Sequence, residues 1–504
     1  MTRDLLLHVR DGRHHLTDPD GVTRVIEAAD LPAVLAQHEA EPDGVRWVWD
    51  STSHHYPHLL KSGVRVARCW DLRLTRAILR GSTLVPPALS GSTWPAREAQ
   101  WEDWDGDLGS AAQLTPEQDR GVALFDLVGS ADPGPAPRDV PAEHARQVAV
   151  LAAIERPDHA HRLRLLLAAE SSGALAAAEM RHDGLPFARA EHERTLERLL
   201  GPRPRPGERP PTLERLAGEI RTLLSAPQLN PDSHPHLLRE LRRNGLDVSS
   251  TSKWELQGND HPVVPILLEY KSLARLASAN GWVWMDTWVA GDRFRSDYVP
   301  SGVVTGRWSS RGGGALSLPK VIRSAVRADE GWSLVIVDAA QLEPRILAAM
   351  SADTAMMAAG ARGDLYQGLV DGGVVDTREH AKVAMLGALY GSTTGTAGML
   401  VPRLARAYPR ALAHAAQVGQ VLGAVGRDGA HQHDAALAQG LAVLVHRIGH
   451  REVHHRLHGM GVQPVVKADA VQPDNGHFFA ALHAMQARGR ALGHPAQVVT
   501  RVLR

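Results

Sequence analysis

The chain has 504 residues and a mass of 54.5 kDa, which is too long for one ordinary hydrophobic core, so several packed units are expected. Lys plus Arg and Asp plus Glu number 56 each, so the net charge neither indicates nor excludes a polyanionic partner. A single cysteine, Cys69, excludes an internal disulfide framework and a Cys-based zinc cluster, and the absence of a leader-like or membrane-length apolar run predicts a cytoplasmic location.

Residues 1–128 have the pattern of a small α/β unit. Apolar runs at 5–9 and 46–49 predict short strands, and the run 67–72 continues into a helical segment. Asp71 stands at the start of that helix, where a helix N-cap is favoured over a metal ligand. Residues 129–142 are rich in Pro and Gly and predict a linker.

Residues 143–290 are predicted to be mainly helical. Ala and Leu recur at helical spacing from 143 to about 180, and no helix breaker is expected before Ser171-Ser172-Gly173. A Pro-rich hinge follows at 201–211, and Asn230 to Ser233 form a helix-initiating turn. Taken singly, the cationic residues of this region are ordinary solvated side chains; together they supply charge that can bind phosphate: Arg242, Arg243, Lys253, Lys271 and Arg275.

Residues 301–391 carry three polar motifs in a fixed order. The first, Thr305-Gly306-Arg307, taken alone indicates only a turn. The second follows the apolar run 334–337, which predicts a buried strand that ends at Asp338. For Asp338 alone, a strand-end helix cap would be the simpler interpretation, but Gln341, Glu343 and Arg345 follow it at fixed offsets.

The third motif is a cationic helix. Arg378, Lys382 and Leu386 recur every four residues, and each such step drifts by only about 40° around a helix, so they line one stripe. A stripe of this kind is usually a solvated face. Here it is followed by Tyr390-Gly391, which makes the pattern far more specific.

Together these motifs resemble the active site of the DNA polymerases of the polymerase I type (family A). Residues 305–310 resemble TGRLSS, residues 338–345 resemble DYSQIELR, and residues 378–391 resemble the fingers helix that ends in Tyr-Gly. Residues 229–233 with the leucines that follow resemble the thumb element INSxxQL, and residues 268–276 resemble LEYRxxxKL. The single-subunit RNA polymerases share the fingers helix, but Glu343 and Gly387 favour the DNA-making branch.

The resemblance implies an α+β multidomain fold. It assigns a ribonuclease-H-like α/β domain to 1–128, a linker to 129–142, a helical connection and thumb to 143–290, the first half of the palm to 291–352 and the fingers to 353–410. The first strand lacks the Asp-x-Glu pair with which a 3′-5′ proofreading exonuclease binds metal. We therefore expect a domain that keeps the exonuclease fold without its chemistry.

The resemblance also implies roles for individual residues. Asp338 would bind two Mg²⁺ ions, Lys382 would protonate the leaving pyrophosphate, and Glu343 would exclude a 2′-hydroxyl. Leu386 replaces an aromatic residue beside the nucleotide sugar, which puts substrate discrimination in doubt. The residues expected to bind nucleotide are Gln341, Glu343, Arg378, Lys382, Leu386 and Tyr390. The residues expected to bind DNA are Asn230, Ser233, Lys271, Arg275, Thr305, Arg307 and Arg345.

The implied function is template-directed DNA synthesis in replication or repair, by a monomer that uses primed duplex DNA and deoxynucleoside triphosphates (dNTPs), with no membrane partner. The alternative is a catalytically inactive remnant that binds DNA and nucleotide but lacks the second catalytic Asp.

Residues 411–504 do not match the family. They hold 11 of the 27 histidines and only five acidic residues, and no His-Asp-Glu motif occurs there to supply the second metal-binding Asp. Three interpretations remain open: a frame-shifted translation, a degenerate polymerase, or a new metal module in which His446, His450 and His454 share a helix face. The first two predict that this segment fails to complete the palm.

Overall fold

The computed structural model describes residues 3–82, 84–86, 89, 139–302, 307–338, 341–361, 363–389, 395–425, 465–467 and 496–500. Thr305, Tyr390, most of the predicted linker and the three histidines of the proposed metal module lie outside these ranges. Within them, no helix is long and apolar enough to cross a membrane.

The N-terminal domain is built on a five-stranded sheet with the order β3-β2-β1-β4-β5. Strand β1 pairs antiparallel with β2 and parallel with β4, and β4 pairs parallel with β5. The strands are β1 (Arg3–Arg10), β2 (Arg13–Thr17), β3 (Thr23–Ile26), β4 (Val45–Trp49) and β5 (Cys69–Asp71), and the helices are α1 (Leu31–Glu39), α2 (Thr52–Lys61) and α3 (Leu72–Gly81). The predicted strands and the helix after Asp71 are confirmed.

Two helices, α4 (Val140–Ala152) and α5 (Pro157–Asp183), follow where one continuous helix was predicted. The break falls before Pro157, which has no N–H to donate and therefore begins a helix rather than continuing one. Helix α5 passes through Ser171-Ser172-Gly173 without a break. Gly173 has a reason to be there: a Cβ on it would lie 3.3 Å from the Trp308 ring, which packs against this turn.

Helix α5 connects the N-terminal domain to the rest of the chain. The Tyr56 hydroxyl donates a hydrogen bond to Glu179 (2.5 Å), and the thiol of Cys69 lies 3.3 Å from the carbonyl oxygen of Ser171. Burial is the main reason that the pKa of Cys69 is raised. That thiol is therefore an inert packing group and not a nucleophile.

The region predicted as thumb is a helical unit around one core cluster that includes Phe187, Trp284 and Phe294. Its aromatic rings contact each other with centroid separations of 5.0 to 6.2 Å. Its helices are α6 (Arg189–Leu200), α7 (Pro211–Leu223), α8 (His234–Arg243), α9 (Lys253–Leu256), α10 (Val263–Asn280) and α11 (Trp282–Trp288).

Short strands then lead into the palm region. A three-stranded sheet joins β6 (Leu185–Pro186), β8 (Arg293–Phe294) and β7 (Val289–Ala290), and a hairpin joins β9 (Asp297–Val299) and β10 (Ser309–Arg311). Two 3₁₀ helices follow at Ala315–Ser317 and Lys320–Ala325. Strand β11 (Ser333–Asp338) lies between β12 (Val465–Lys467), which is antiparallel to it, and β13 (Ala496–Thr500), which is parallel.

The palm sheet thus differs from one expectation. The first two interpretations of the segment beyond residue 410 predicted that it fails to complete the palm, yet both strands beside β11 come from that segment. Backbone pairing depends on chain geometry more than on side-chain identity, so these Val-containing stretches can form strands without matching the family motif.

The fingers region is helical, with a second core cluster that includes Leu347, Leu365 and Met385. Its helices are α12 (Leu342–Ser351), α13 (Thr354–Ala361), α14 (Leu365–Asp371), α15 (Arg378–Leu389), α16 (Gly395–Ala407) and α17 (Pro409–Val425). Ala411, Leu412 and Ala415 of α17 are buried in this core. The fingers therefore extend past the predicted boundary at residue 410.

Candidate functional site

Asp338 is the last residue of β11, as predicted. Its Cα partner in β12 is Val465, and the preceding Val337 is paired with Thr500 of β13. A two-ion site needs carboxylate donors from more than one position. The described parts of β12 (Val-Val-Lys) and β13 (Ala-Gln-Val-Val-Thr) carry none. Among the described residues, no three His, Cys, Asp or Glu side chains are placed to hold a metal ion. These residues therefore do not fit a two-ion magnesium site.

Gln341 precedes helix α12 in a left-handed conformation, with φ 57° and ψ 41°. A non-glycine residue in this region is strained unless its surroundings hold it. Here its side chain is held at both ends: Leu365 N–H donates to Oε1 (2.7 Å), and Nε2 donates to Oδ1 of Asp364 (2.5 Å). Gln341, predicted to bind nucleotide, thus bonds to the turn that begins α14.

Glu343 and Arg307 form an ion pair. The resemblance assigns Glu343 to the nucleotide and Arg307 to the DNA, so two side chains with different expected ligands meet at one place. Both side chains keep some exposure, 21% for Glu343 and 47% for Arg307, so a ligand can reach them.

Arg345, predicted to bind DNA, is 4% exposed. Its guanidinium donates to the carbonyl oxygens of Gly360 (2.9 Å) and Gly363, at the end of α13 and in the turn that follows. Burial lowers the pKa of Arg345, and the nearby Asp364 carboxylate opposes that shift. In this geometry the side chain braces the fingers backbone and is not presented to a duplex.

Asp364 is the residue that the sequence analysis missed as a site residue. One oxygen, Oδ1, accepts from the backbone N–H groups of Tyr366 (2.9 Å) and Gln367 (3.1 Å) and so caps α14. The other, Oδ2, accepts from Nε of Arg378 (2.8 Å). Burial opposes ionisation of Asp364, but the bonds from Arg378, Gln367 and Gln341 hold its pKa below the usual value. Asp followed by an apolar helix start was the only signal available in the sequence.

Helix α15 presents the predicted cationic stripe. Arg378 is its first residue, Lys382 is exposed one turn later, and Leu386 is half-buried after a further turn. The Asp364 carboxylate raises the pKa of Arg378, and the guanidinium lies over the Tyr366 ring, with Cζ 5.5 Å from its centroid. Arg378 and Lys382 therefore lie one turn apart at the start of this helix, and we call this pair the nucleotide clamp after the phosphate-binding role that the sequence predicts for it.

The thumb residues that were predicted to contact DNA differ in how accessible their side chains are and in which bonds they already make. Lys271 donates to the hydroxyl of Thr251 (2.8 Å) and to its carbonyl oxygen, whereas Arg275 is exposed. Ser233 is the N-cap residue of α8 but makes no side-chain cap bond, and the Asn230 side chain accepts from Asp232 N–H (3.1 Å). The helix-initiating turn is confirmed, while the contact with a duplex stays a prediction.

In the N-terminal domain, Asp71 is 1% exposed. It accepts from Leu74 N–H (3.0 Å) at the start of α3 and from Thr52 N–H (2.7 Å) at the start of α2. Both carboxylate oxygens are thus used by backbone donors, which confirms the N-cap.

Asp50, which the sequence did not single out, follows β4 and lies 2.8 Å from Nε2 of His55. Burial opposes ionisation of Asp50, but the bonds from His54 and His55 hold its pKa far below the usual value.

Comparison with solved structures identifies the fold of the chain. The structure is similar to that of the POL domain of Pol1 from M. smegmatis, solved in complex with DNA primer-template and dNTP, with a TM-score of 0.56 and 17% identity over 89% of this chain and 81% of that one. The chain therefore has the fold of a DNA polymerase domain.

Sequence comparison identifies the family that part of the chain resembles. The model of DNA polymerase family A matches residues 216–400. DNA polymerase I of Chloroflexus aurantiacus is 29% identical over 180 residues, and the thermostable DNA polymerase I of Thermus filiformis is 28% identical over 211 residues. These matches span 32% and 36% of this chain and only 19% and 25% of the relatives. Residues 216–400 are therefore similar to the polymerase region of DNA polymerase family A.

Proposed function

We propose that this chain binds primed duplex DNA and a dNTP and carries out template-directed DNA synthesis. The observation that carries the proposal is the fingers helix α15, whose residues Arg378, Lys382 and Leu386 share one stripe, with Arg378 bonded to Asp364 at the start of α14. The relative from M. smegmatis, which was solved with primer-template and dNTP, supports the same partners.

Different residues of the chain would bind different parts of the nucleotide and the primer. Arg378 and Lys382 hold the triphosphate, and the ammonium of Lys382 can give a proton to the pyrophosphate as it leaves. Glu343 lies where it can discriminate against a 2′-hydroxyl, and Arg307 can accept the primer end once its pair with Glu343 opens. Phosphoryl transfer in this family would use divalent metal ions for charge stabilisation; in the described part of the β11–β13 sheet, Asp338 is the one carboxylate residue, which falls short of a two-ion site.

A second candidate function is binding without catalysis. The observation that favours it is the identity of the neighbouring residues: Val465 is paired with Asp338, Thr500 is paired with Val337, and the described parts of both strands carry no carboxylate. In that case the chain would hold primed DNA and nucleotide and would not extend the primer.

Primer extension in the presence of Mg²⁺ separates the two functions. The proposal expects incorporation by the wild type, a loss of about 10²-fold or more for Lys382→Met, and no change for the charge-matched control Arg403→Met on α16. Incorporation by the wild type no higher than that of Asp338→Ala, with duplex binding retained in a gel-shift assay, leaves only the binding function. Loss of both incorporation and duplex binding rejects both.

A further inference from the structure

Three side chains form a continuous connection between the palm strand and the nucleotide clamp. Gln341, three residues after Asp338, bonds to Asp364 and to the backbone of Leu365. Arg345, one turn further along α12, holds the carbonyl oxygen of Gly363. Asp364 in turn bonds to Arg378 at the start of α15. Gln341, just before α12, and Arg345, within it, therefore both bond to the 363–365 turn. Asp364 of this turn bonds to Arg378 of the nucleotide clamp.

We propose that Asp364 is a positioning residue of the nucleotide clamp: it orients the Arg378 guanidinium toward the triphosphate and, through Gln341, fixes the clamp relative to the palm strand. This inference rests on the proposed function, because it names how the same site holds its nucleotide. Asp364 acts through Arg378 and does not itself touch the substrate.

The geometry of the pair favours positioning over competition. Asp364 accepts from Nε of Arg378, which leaves the edge formed by the two terminal nitrogens as the one that can bind a phosphate in a bidentate way. One face of the guanidinium is covered by the Tyr366 ring. With Nε bonded and a face stacked, the orientation of the terminal nitrogens is restricted before a nucleotide arrives, which lowers the ordering cost of binding.

Charge alone predicts the opposite outcome, and this makes the test sharp. A carboxylate near a triphosphate repels it, so removal of Asp364 should strengthen nucleotide binding if the side chain does nothing but carry charge. If Asp364 positions Arg378, its removal should weaken binding. Glu379, the neighbour of Arg378 on α15, provides the matched control because it also acts on Arg378 by charge and has no described bond to it.

Asp364→Asn is the informative variant. Its amide oxygen can still cap α14 through Tyr366 and Gln367 N–H, while its NH₂ group faces the Nε donor of Arg378 and cannot accept from it. Titration of a fluorescent dNTP into the complex of the chain with Mg²⁺ and a primed duplex ending in a 3′-dideoxynucleotide measures affinity without extension. We expect binding weakened about two- to fivefold, the range of an exposed ion pair, and no weakening for Glu379→Gln.

A second measurement needs no nucleotide. Phenylglyoxal modifies exposed guanidinium groups, and peptide mass spectrometry follows its rate at Arg378. Release of Arg378 should raise that rate about two- to fivefold in Asp364→Asn and leave it unchanged in Glu379→Gln. If the wild type binds no nucleotide, the proposed function fails while the labelling still tests the pair. Unchanged labelling in Asp364→Asn, or affinity equal to or above that of Glu379→Gln, overturns the inference.

Discussion

Replacement of Asp71 by Ala tests whether the N-terminal domain uses this carboxylate for structure or for metal. The side chain is 1% exposed and accepts from two backbone N–H groups, those of Thr52 (2.7 Å) and Leu74 (3.0 Å). A buried donor that loses its partner costs about 1–3 kcal/mol, so Asp71→Ala should destabilise the domain by about 2–6 kcal/mol. Asp71→Asn keeps one acceptor and should cost about half as much.

Asp30→Ala is the matched control, because Asp30 is also an N-cap residue of this domain but is exposed and makes no side-chain cap bond. Its effect should stay within about 0.5 kcal/mol. Since the chain has several units, a single melting temperature is ambiguous, and hydrogen exchange of peptides from α2 and α3 is the proper assay. Unchanged exchange in Asp71→Ala refutes the reasoning. Protection that rises with added Mg²⁺ or Mn²⁺ in the wild type, and not in Asp71→Asn, would instead identify a metal ligand.

Three further outcomes are expected. Arg345→Met should destabilise the fingers by about 1–3 kcal/mol, seen as faster hydrogen exchange in α13 and α14, with duplex affinity unchanged; weaker duplex binding with normal exchange would restore its predicted DNA contact. Arg76→Met should cost the N-terminal domain about 3–5 kcal/mol, because it removes the buried cation 3.2 Å from the Glu143 carboxylate and leaves the more distant and more exposed Arg146 (3.7 Å), whereas Arg76→Met combined with Glu143→Leu should recover most of the loss. The N-terminal domain should lose stability as the pH falls below about 6.5: burial, then neighbouring histidines, hold the folded-state pKa values of His8 and His14 below their ordinary value, so the unfolded chain takes up protons first. His8→Gln with His14→Gln should flatten that dependence, and hydrogen exchange of peptides from β1 and β2 between pH 5.5 and 7.5, corrected for the intrinsic exchange rate at each pH, measures it.

Those parts of the fold that follow from local pattern were predictable from the sequence. The short apolar runs gave strands β1 and β4, the N-cap at Asp71 gave α3, and the four-residue spacing from Arg378 gave α15. Each of these depends on interactions within a few residues, which periodicity and capping rules capture. The break before Pro157 was also written in the sequence, since proline rarely continues a helix.

Interactions between distant segments could not be predicted in this way. Arg345 was expected at the DNA, but its partners Gly360 and Gly363 offer no side chain that a motif could record. The same holds for Asp364, whose bond to Arg378 crosses from one helix start to another. The sequence motifs show which family these residues resemble. Their contacts depend on which carbonyl or carboxylate the fold brings within hydrogen-bonding distance.

Asp353 shows why the change in sequence character at residue 411 is not a structural boundary. This carboxylate is 3% exposed; Oδ1 accepts from Met356 N–H in α13, and Oδ2 accepts from the N–H groups of Arg410 and Ala411 in α17, each at 3.1 Å. One side chain thus caps two helices on either side of the predicted boundary. The first turns of the segment that begins at residue 411 are therefore integral to the fingers, although its sequence does not match the family.

The lack of the family motif beyond residue 410 has a chemical consequence in the palm. The segment beyond α17 returns to pair with β11 on both sides, so it completes the sheet that carries Asp338. What it sets beside Asp338 is Val465, and a valine can support the strand but cannot bind a metal ion. Fold and catalysis are thus separable in this chain. Side-chain bonds connect Gln341, Asp364 and Arg378 of the proposed nucleotide clamp, whereas the proposed nucleotidyl transfer needs a second carboxylate that the described parts of the paired strands do not provide.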